Sequence, residues 1–188
     1  GIAARGVPTT AWGWVPLLAG VAVVDAVRAT TGVDATLKWP NDVLVGEGKL
    51  GGILAEVAAP DPVIVVGLGL NVNWPELPPE LVGIASSLNK ILGHEIDREQ
   101  LLIELLTSLD AKWLPELQNP TGDHSLLFRT YRERSATIGT RVRVELPQGE
   151  LVGMATGIAA DGALLLCDDS GHEHVVTVGD VVHLRPER

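Results

Sequence analysis

Apolar and polar positions along the chain change their period several times, and each change marks a new element. Leu17, Leu18, Val21, Val24 and Val27 recur at three- and four-residue steps while Asp25 and Arg28 fall on another face, which predicts a helix from Ala11 to about Thr31. Pro16 fits only a first turn, so the regular helix is expected to begin near Trp14 or Val15, and Gly32 is a natural C-terminal stop. Residues 35–39, 42–45 and 49–57 then read as strands, with Pro40-Asn41-Asp42 turning the chain and Gly46-Glu47-Gly48 closing a hairpin. After a Pro60-Asp61-Pro62 turn, residues 63–70 form a continuous apolar run, as expected of a central strand buried on both faces.

The next stretch returns to helical spacing. Ser86 to Leu92 reads as a short helix closed by Gly93. Asp97 with Gln100 is a capping pair that opens a helix to about Leu117, with Leu101, Leu105, Leu109 and Trp113 inward. Asn119 to Asp123 reads as a loop, and Ser125 to Arg134 as a last helix with Leu126, Leu127 and Tyr131 buried. From Thr140 the period falls to two. Val142, Val144 and Leu146 alternate with Arg141, Arg143 and Glu145, and four further short runs follow between turns at Pro147–Glu150, Asp161-Gly162 and Asp168–Gly171. The pattern predicts an α+β fold: a mixed sheet with flanking helices over 1–136, followed by a small β-barrel over 137–188 that packs on it. Gly1 to Val7 resembles the end of a strand, which suggests a fragment.

Composition narrows the class. A hydrophobic content of 46% over 188 residues supports a globular core. No stretch approaches eighteen uninterrupted apolar residues, so no membrane span is expected, and no signal peptide is visible. Cys167 is the only cysteine, which fits a reducing cytoplasm. A net charge of -10 repels phosphate backbones and argues against general nucleic-acid binding. Only Arg5, Arg28, Lys38 and Lys49 are basic in the first 89 residues, so chemistry on a phosphate there would lean on very few cations.

Lys38, at the end of an apolar strand and just before Pro40, is the first candidate: either a functional cation or a lysine snorkelling from a strand end. Gly67 and Gly69 are costly in an apolar strand unless a backbone approaches closely, so they mark either a bulge with tight strand packing or the floor of a ligand site. Trp12 and Trp14 could stack on a ring or pack in the core. Arg129, Arg132 and Arg134 form the densest positive cluster, either a solvated helix face or a receiver of phosphate or an acidic partner. His172 and His174 lie beside a turn with no third ligand nearby, so a metal site is not expected.

Three blocks together closely resemble the biotin–protein ligase family: Lys38-Trp39-Pro40-Asn41-Asp42, then residues 48–56 (Gly-Lys-Leu-Gly-Gly-Ile-Leu-Ala-Glu), then residues 66–73 (Val-Gly-Leu-Gly-Leu-Asn-Val-Asn). The likeness covers essentially the whole chain. It implies a class II synthetase-like catalytic domain followed by an SH3-like module, and a two-step reaction. ATP and biotin would form biotinyl-5′-AMP with release of pyrophosphate, and a lysine of a biotin carboxyl carrier protein or domain would then attack the mixed anhydride. The resemblance further implies that Lys38 contacts biotin's carboxylate and the adenylate, and that Gly51, Gly52, Gly67 and Gly69 line the biotin pocket. Asn71 would lie at the nucleotide and its Mg²⁺, Arg129 and Arg132 where the family closes over nucleotide and acceptor, and Asn41 and Asp42 would hold the turn that aims Lys38. No metal ligands, membrane or nucleic-acid contact are assigned in this part, and a homodimer stays open. The family's Gly/Arg-rich loop and Ser-Thr block lie upstream of Gly1, so the resemblance implies an N-terminally truncated ligase of low activity. A lipoate–protein ligase and a non-catalytic biotin-binding or regulatory module are the competing readings.

Overall fold

The computed structural model describes residues 2–60, 63–119, 123–147 and 149–184. Parts of the expected turns at Pro60–Pro62 and Pro147–Glu150, and of the 119–123 loop, lie outside them. The centre is α1 (Trp14–Thr31), which stops where Gly32 takes the left-handed conformation (φ 73°) and donates its N–H to the Arg28 carbonyl. Val15, Leu17, Leu18, Val21, Val23, Val24 and Val27 are buried around its whole circumference, so it is a core helix rather than a surface one. Its length and composition equal those of a membrane span, but 67% of it is buried inside this protein.

One side of α1 packs on a sheet of β1 (Ile2–Ala4), β2 (Thr36–Lys38), β3 (Asp42–Val45), β4 (Gly48–Ala58) and β5 (Val63–Leu70), in the order β1-β5-β4-β3-β2. The named pairings are antiparallel, and parallel character is confined to isolated bridges at Leu37–Ser135 and Lys49–Ala85. Leu37, Ile53, Ile64 and Val66 face the helix and are almost fully buried. The helix approaches closest at Gly20, where a Cβ would come within 2.9 Å of Leu37. The expectation that β5 is buried on both faces is corrected. An antiparallel sheet needs cover on one face only, and here Gly67 and Gly69 are exposed on the other, with Leu54 60% exposed beside them.

The other sides of α1 are covered by helices. These are α3 (Arg98–Ser108), α4 (Leu114–Gln118) and α5 (Ser125–Arg134), with the short α2 (Leu88–Leu92) packed beyond β4 and β5. Asp97 caps α3 by accepting from the Glu99 and Gln100 N–H groups. The single helix expected to run to Leu117 is instead interrupted by a π turn at Leu109–Trp113. Pro115 explains the break: it has no N–H to donate and its ring would crowd the carbonyl four residues back, which the wider turn relieves.

α1 carries one acid into this core, and its partners come from three elements. Asp25 accepts from Arg134 Nη2 (2.6 Å), Trp113 Nε1 (2.8 Å) and Ser108 Oγ (3.4 Å), with Lys112 Nζ at 3.5 Å. Burial alone would raise the Asp25 pKa, but the Arg134 and Trp113 hydrogen bonds and the charges of Arg134 and Lys112 outweigh it and hold the carboxyl below its ordinary value. Arg134 is therefore committed inside the fold and leaves the expected arginine cluster.

A second antiparallel sheet contains β6 (Arg141–Leu146), β7 (Gly149–Ile158), β8 (Leu164–Cys167), β9 (Glu173–Val176) and β10 (Asp180–His183), in the order β10-β6-β7-β8-β9. Among the described residues β9 and β10 do not pair, so the sheet is not closed, a form consistent with the small barrel expected there. Two indoles tie it to the first unit. Trp14 Nε1 donates to the Ala159 carbonyl and Trp39 Nε1 to that of Gly162, each at 3.1 Å. Gly162 has φ +91° and lies so close to Gly13 that either residue's Cβ would collide with the other's turn.

Asp25→Asn should lower stability by about 3 kcal/mol at pH 7, because Arg134 is left buried without its counter-charge. The Asp25 pKa is depressed by folding, so its contribution is complete above the ordinary carboxylate value and is lost as pH falls through the folded one. Urea unfolding of wild type and Asp25→Asn should accordingly converge in acid and diverge towards neutrality.

Candidate active site

The face of the first sheet that α1 does not cover carries a row of four paired residues, one each from β2, β3, β4 and β5. Lys38 on β2 is opposite Asp42 on β3, Asp42 opposite Gly52 on β4, and Gly52 opposite Gly69 on β5. Gly67 lies one step along, opposite Leu54. The row runs from a cation, through an acid, onto a strip without side chains.

Lys38 has a side chain only 21% exposed, with Asp42 Oδ2 at 4.0 Å and Asp180 Oδ1 of β10 at 3.9 Å. Both distances exceed hydrogen-bond reach, so the ammonium is balanced by charge but not locked. Asp42 is more strongly held by Lys49, whose Nζ is 2.5 Å from Oδ1, as an ion pair without hydrogen-bond alignment. Asn41 holds the turn through its carbonyl, which accepts the Ile53 N–H at 2.9 Å. Trp39, between them, is 2% exposed; its N–H donates to Thr137 Oγ1 (3.1 Å), which also contacts His183 Nε2 (3.3 Å). Burial, then the charge of Lys38, pushes the His183 pKa below its ordinary value, so the imidazole is neutral at pH 7 and adds no competing cation.

The glycines divide by cause. A Cβ on Gly51 would point to the α1 side and strike the Gly69 carbonyl, with Leu70 Cδ1 at 2.9 Å. Strand packing therefore accounts for Gly51, and the structure separates it from the other three. A Cβ on Gly67 or Gly69 would meet nothing nearer than 3.8 Å, and one on Gly52 only the Lys49 side chain at 3.5 Å. The β4–β5 register is regular through both β5 glycines, so neither a bulge nor close packing explains them.

Asn71, two residues beyond Gly69, pins the end of the sheet. Its Nδ2 donates to the carbonyls of Lys49 (3.3 Å) and Ser86 (3.1 Å), and its own N–H to Leu50 (2.8 Å). Its side chain can therefore offer only Oδ1 to a further group. Arg129 and Arg132 are not brought to this face. They border a separate cleft of about 280 Å³ with Trp14, Phe128, Ile138 and residues 156–158. Trp14 is a core residue, 1% exposed and stacked on Phe128 at 4.1 Å, while Trp12 bonds the Val7 carbonyl. His174 and His172 flank Asp168, whose pKa the His174 hydrogen bond, first, and the His172 N–H lower to about 2. Among the described residues no three His, Cys, Asp or Glu side chains converge as a metal site. Sequence reasoning passed over Asp180 and counted Lys49 among the few cations without giving it a role. Neither belongs to a periodic pattern that reports which face it takes.

A biotin–[acetyl-CoA-carboxylase] ligase of Mycobacterium tuberculosis is 46% identical over 190 residues, covering 98% of this chain and 68% of that protein. This chain belongs to the biotin protein ligase family. The family description "Biotin/lipoate A/B protein ligase" matches residues 7–73, which hold α1, Lys38 and the glycine strip, and "Biotin protein ligase C terminal domain" matches 137–184. The bifunctional ligase/repressor BirA of Bacillus subtilis is 34% identical over 160 residues, and there the chain spans only 48% of the relative's length. A biotin protein ligase structure from Aquifex aeolicus superposes with a TM-score of 0.82 at 28% identity, over 92% of this chain and 75% of that one. A second Aquifex ligase structure, in complex with biotin and ATP, gives 0.79 at 26%, over 92% and 72%.

The two kinds of glycine in these ligase motifs should respond oppositely to a methyl group. Gly51→Ala should cost about 2 kcal/mol or more through collision with β5. Gly67→Ala and Gly69→Ala should leave stability unchanged or raise it by up to about 1 kcal/mol. Denaturant midpoints of the three variants measure the contrast.

Proposed function

We propose that this protein joins biotin to ATP to form biotinyl-5′-AMP and then transfers the biotinyl group to a lysine of a biotin carboxyl carrier protein. Residues 1–136 would serve as the catalytic unit and 137–188 as an SH3-like module. The observation that carries the reading is Lys38: a largely buried ammonium, close to two carboxylates but hydrogen-bonded to neither, at the end of a strip whose open floor is Gly67 and Gly69, with Gly52 beneath the Lys49 side chain. The first step brings a carboxylate oxygen onto the α-phosphorus, forming a P–O bond as the bond to pyrophosphate breaks. Both reactants are anionic, and negative charge grows on the phosphorus oxygens. A fixed cation lowers that barrier, and the low exposure of Lys38 strengthens its effect. In the second step the acceptor amine attacks the acyl carbon and AMP leaves, so the same cation can stay with the phosphate throughout.

The glycine strip supports the binding half of the proposal, since a flat ligand can lie against peptide groups where side chains would stand off. Asn71 Oδ1 is suited to a nucleotide or hydrated cation because it can only accept. Mg²⁺ would arrive on the ATP phosphates. The match to the biotin-ligase C-terminal domain favours biotin over lipoate. A single free Cys167 suits a reducing cytoplasm.

In the full-length protein, Lys38→Ala should reduce biotin-dependent ATP–pyrophosphate exchange by about a hundredfold or more, with the melting temperature little changed. Exchange that survives Lys38→Ala, or that lipoate supports and biotin does not, would remove the reading.

A further inference from the structure

Lys49 is on the open face for a reason visible in the β3–β4 ladder. Val43 pairs with Gly51, but the next residue, Leu44, pairs with Lys49, so Leu50 is an extra residue in β4. A bulge of this kind reverses the alternation of the strand that carries it. Without it, Lys49 would share the parity of Gly51 and Ile53, which face α1 and the core. With it, Lys49 shares the face of Asp42 and Gly52. Its side chain crosses Gly52, where Cε and Nζ would lie 3.5 and 3.6 Å from a Cβ, and its ammonium meets Asp42. The bulge is fixed from outside: the Lys49 N–H bonds the Ile84 carbonyl (2.8 Å), its carbonyl accepts from Ser86 (2.9 Å), and the Leu50 carbonyl accepts from Asn71 (2.8 Å).

Asp42 is only 15% exposed, and its two oxygens are divided between two lysines at unequal distances, Lys49 at 2.5 Å and Lys38 at 4.0 Å. A carboxylate this buried requires a close cation. If Lys49 did not supply one, the nearest alternative is the ammonium that the proposed adenylation needs. We propose that Lys49 is a positioning residue: re-aimed by the bulge at Leu50, it holds the Asp42 carboxylate so that Lys38 stays available to the substrate anions. The role rests on the ligase reading above, but it makes a claim about Lys38 that holds without substrate.

The test combines Lys49→Met, Lys49→Arg and the double variant Asp42→Asn/Lys49→Met. In biotin-dependent pyrophosphate exchange, Lys49→Met should lower kcat by about tenfold to a hundredfold, with a smaller change in KM for ATP. Lys49→Arg should retain most of the rate. The double variant should recover most of it too, because removing the Asp42 charge frees Lys38 again. In parallel, mass spectrometry should follow acylation of Lys38 Nζ by a trace anhydride in the protein alone. Lys38 should react several-fold more slowly in Lys49→Met and regain its rate in the double variant. A double variant as slow as Lys49→Met in exchange, or Lys38 acylation unaffected by Lys49→Met, would overturn the proposal. If Lys49→Met fails to fold, the double variant and Lys49→Arg decide it, since both must then keep near-normal exchange and Lys38 reactivity. Absence of exchange in the wild type would reject the ligase reading, and acylation would still decide the positioning role.

Discussion

The structure depends on burying one helix from every side. α1 is apolar around its circumference, so the β1–β5 sheet, α3, α4, α5 and the turn between α3 and α4 all supply cover. That demand consumes one face of the sheet and none of the other. It also forces the single acid on the buried part of the helix, Asp25, to gather Arg134, Trp113, Ser108 and Lys112 around itself. The ion pair is thus a consequence of the helix's burial and ties α5 to α1.

What the helix leaves uncovered is the candidate site. In a protein of net charge -10, a face that handles anions needs its few cations placed and partly neutralised rather than merely present. Lys38, Asp42 and Lys49 form such a group, and Asp180 extends it to the second sheet. Trp39, whose neighbour is Lys38, is anchored in that second sheet through Thr137 and Gly162. The position of Lys38 is therefore set by both units, which gives the C-terminal sheet a physical means of influencing the site without touching a substrate.

Much of this was legible in the sequence because it rests on local rules. Gly32 closes α1, Asp97 caps α3, and the 3.6-to-2 change of period after Thr140 marks the second sheet. The Lys38–Asp42 block and the glycine strand named residues that the structure brings onto one face. Other features were not legible because they depend on packing at a distance. The run at 63–70 reads as a doubly buried strand, since apolar residues on an open face carry no mark of their exposure. Arg134 looks like one of three surface arginines until Asp25 is found beside it. Gly51 and Gly52 are adjacent and identical in sequence, yet one is dictated by β5 and the other lies beneath the Lys49 side chain on the opposite face. The bulge that turns Lys49 outward leaves no signal in Gly48-Lys49-Leu50-Gly51.

The central claim is that the uncovered face of the first sheet, rather than the Arg129–Arg132 cleft, is where ligand lies. Amide hydrogen exchange with and without biotin plus ATP tests this most directly, because it reports each backbone segment separately. Peptides spanning 48–58 and 63–70 should gain protection, with the 125–134 helix unchanged. Protection confined to 125–134 and 156–158, with the glycine strands unaffected, would contradict the account.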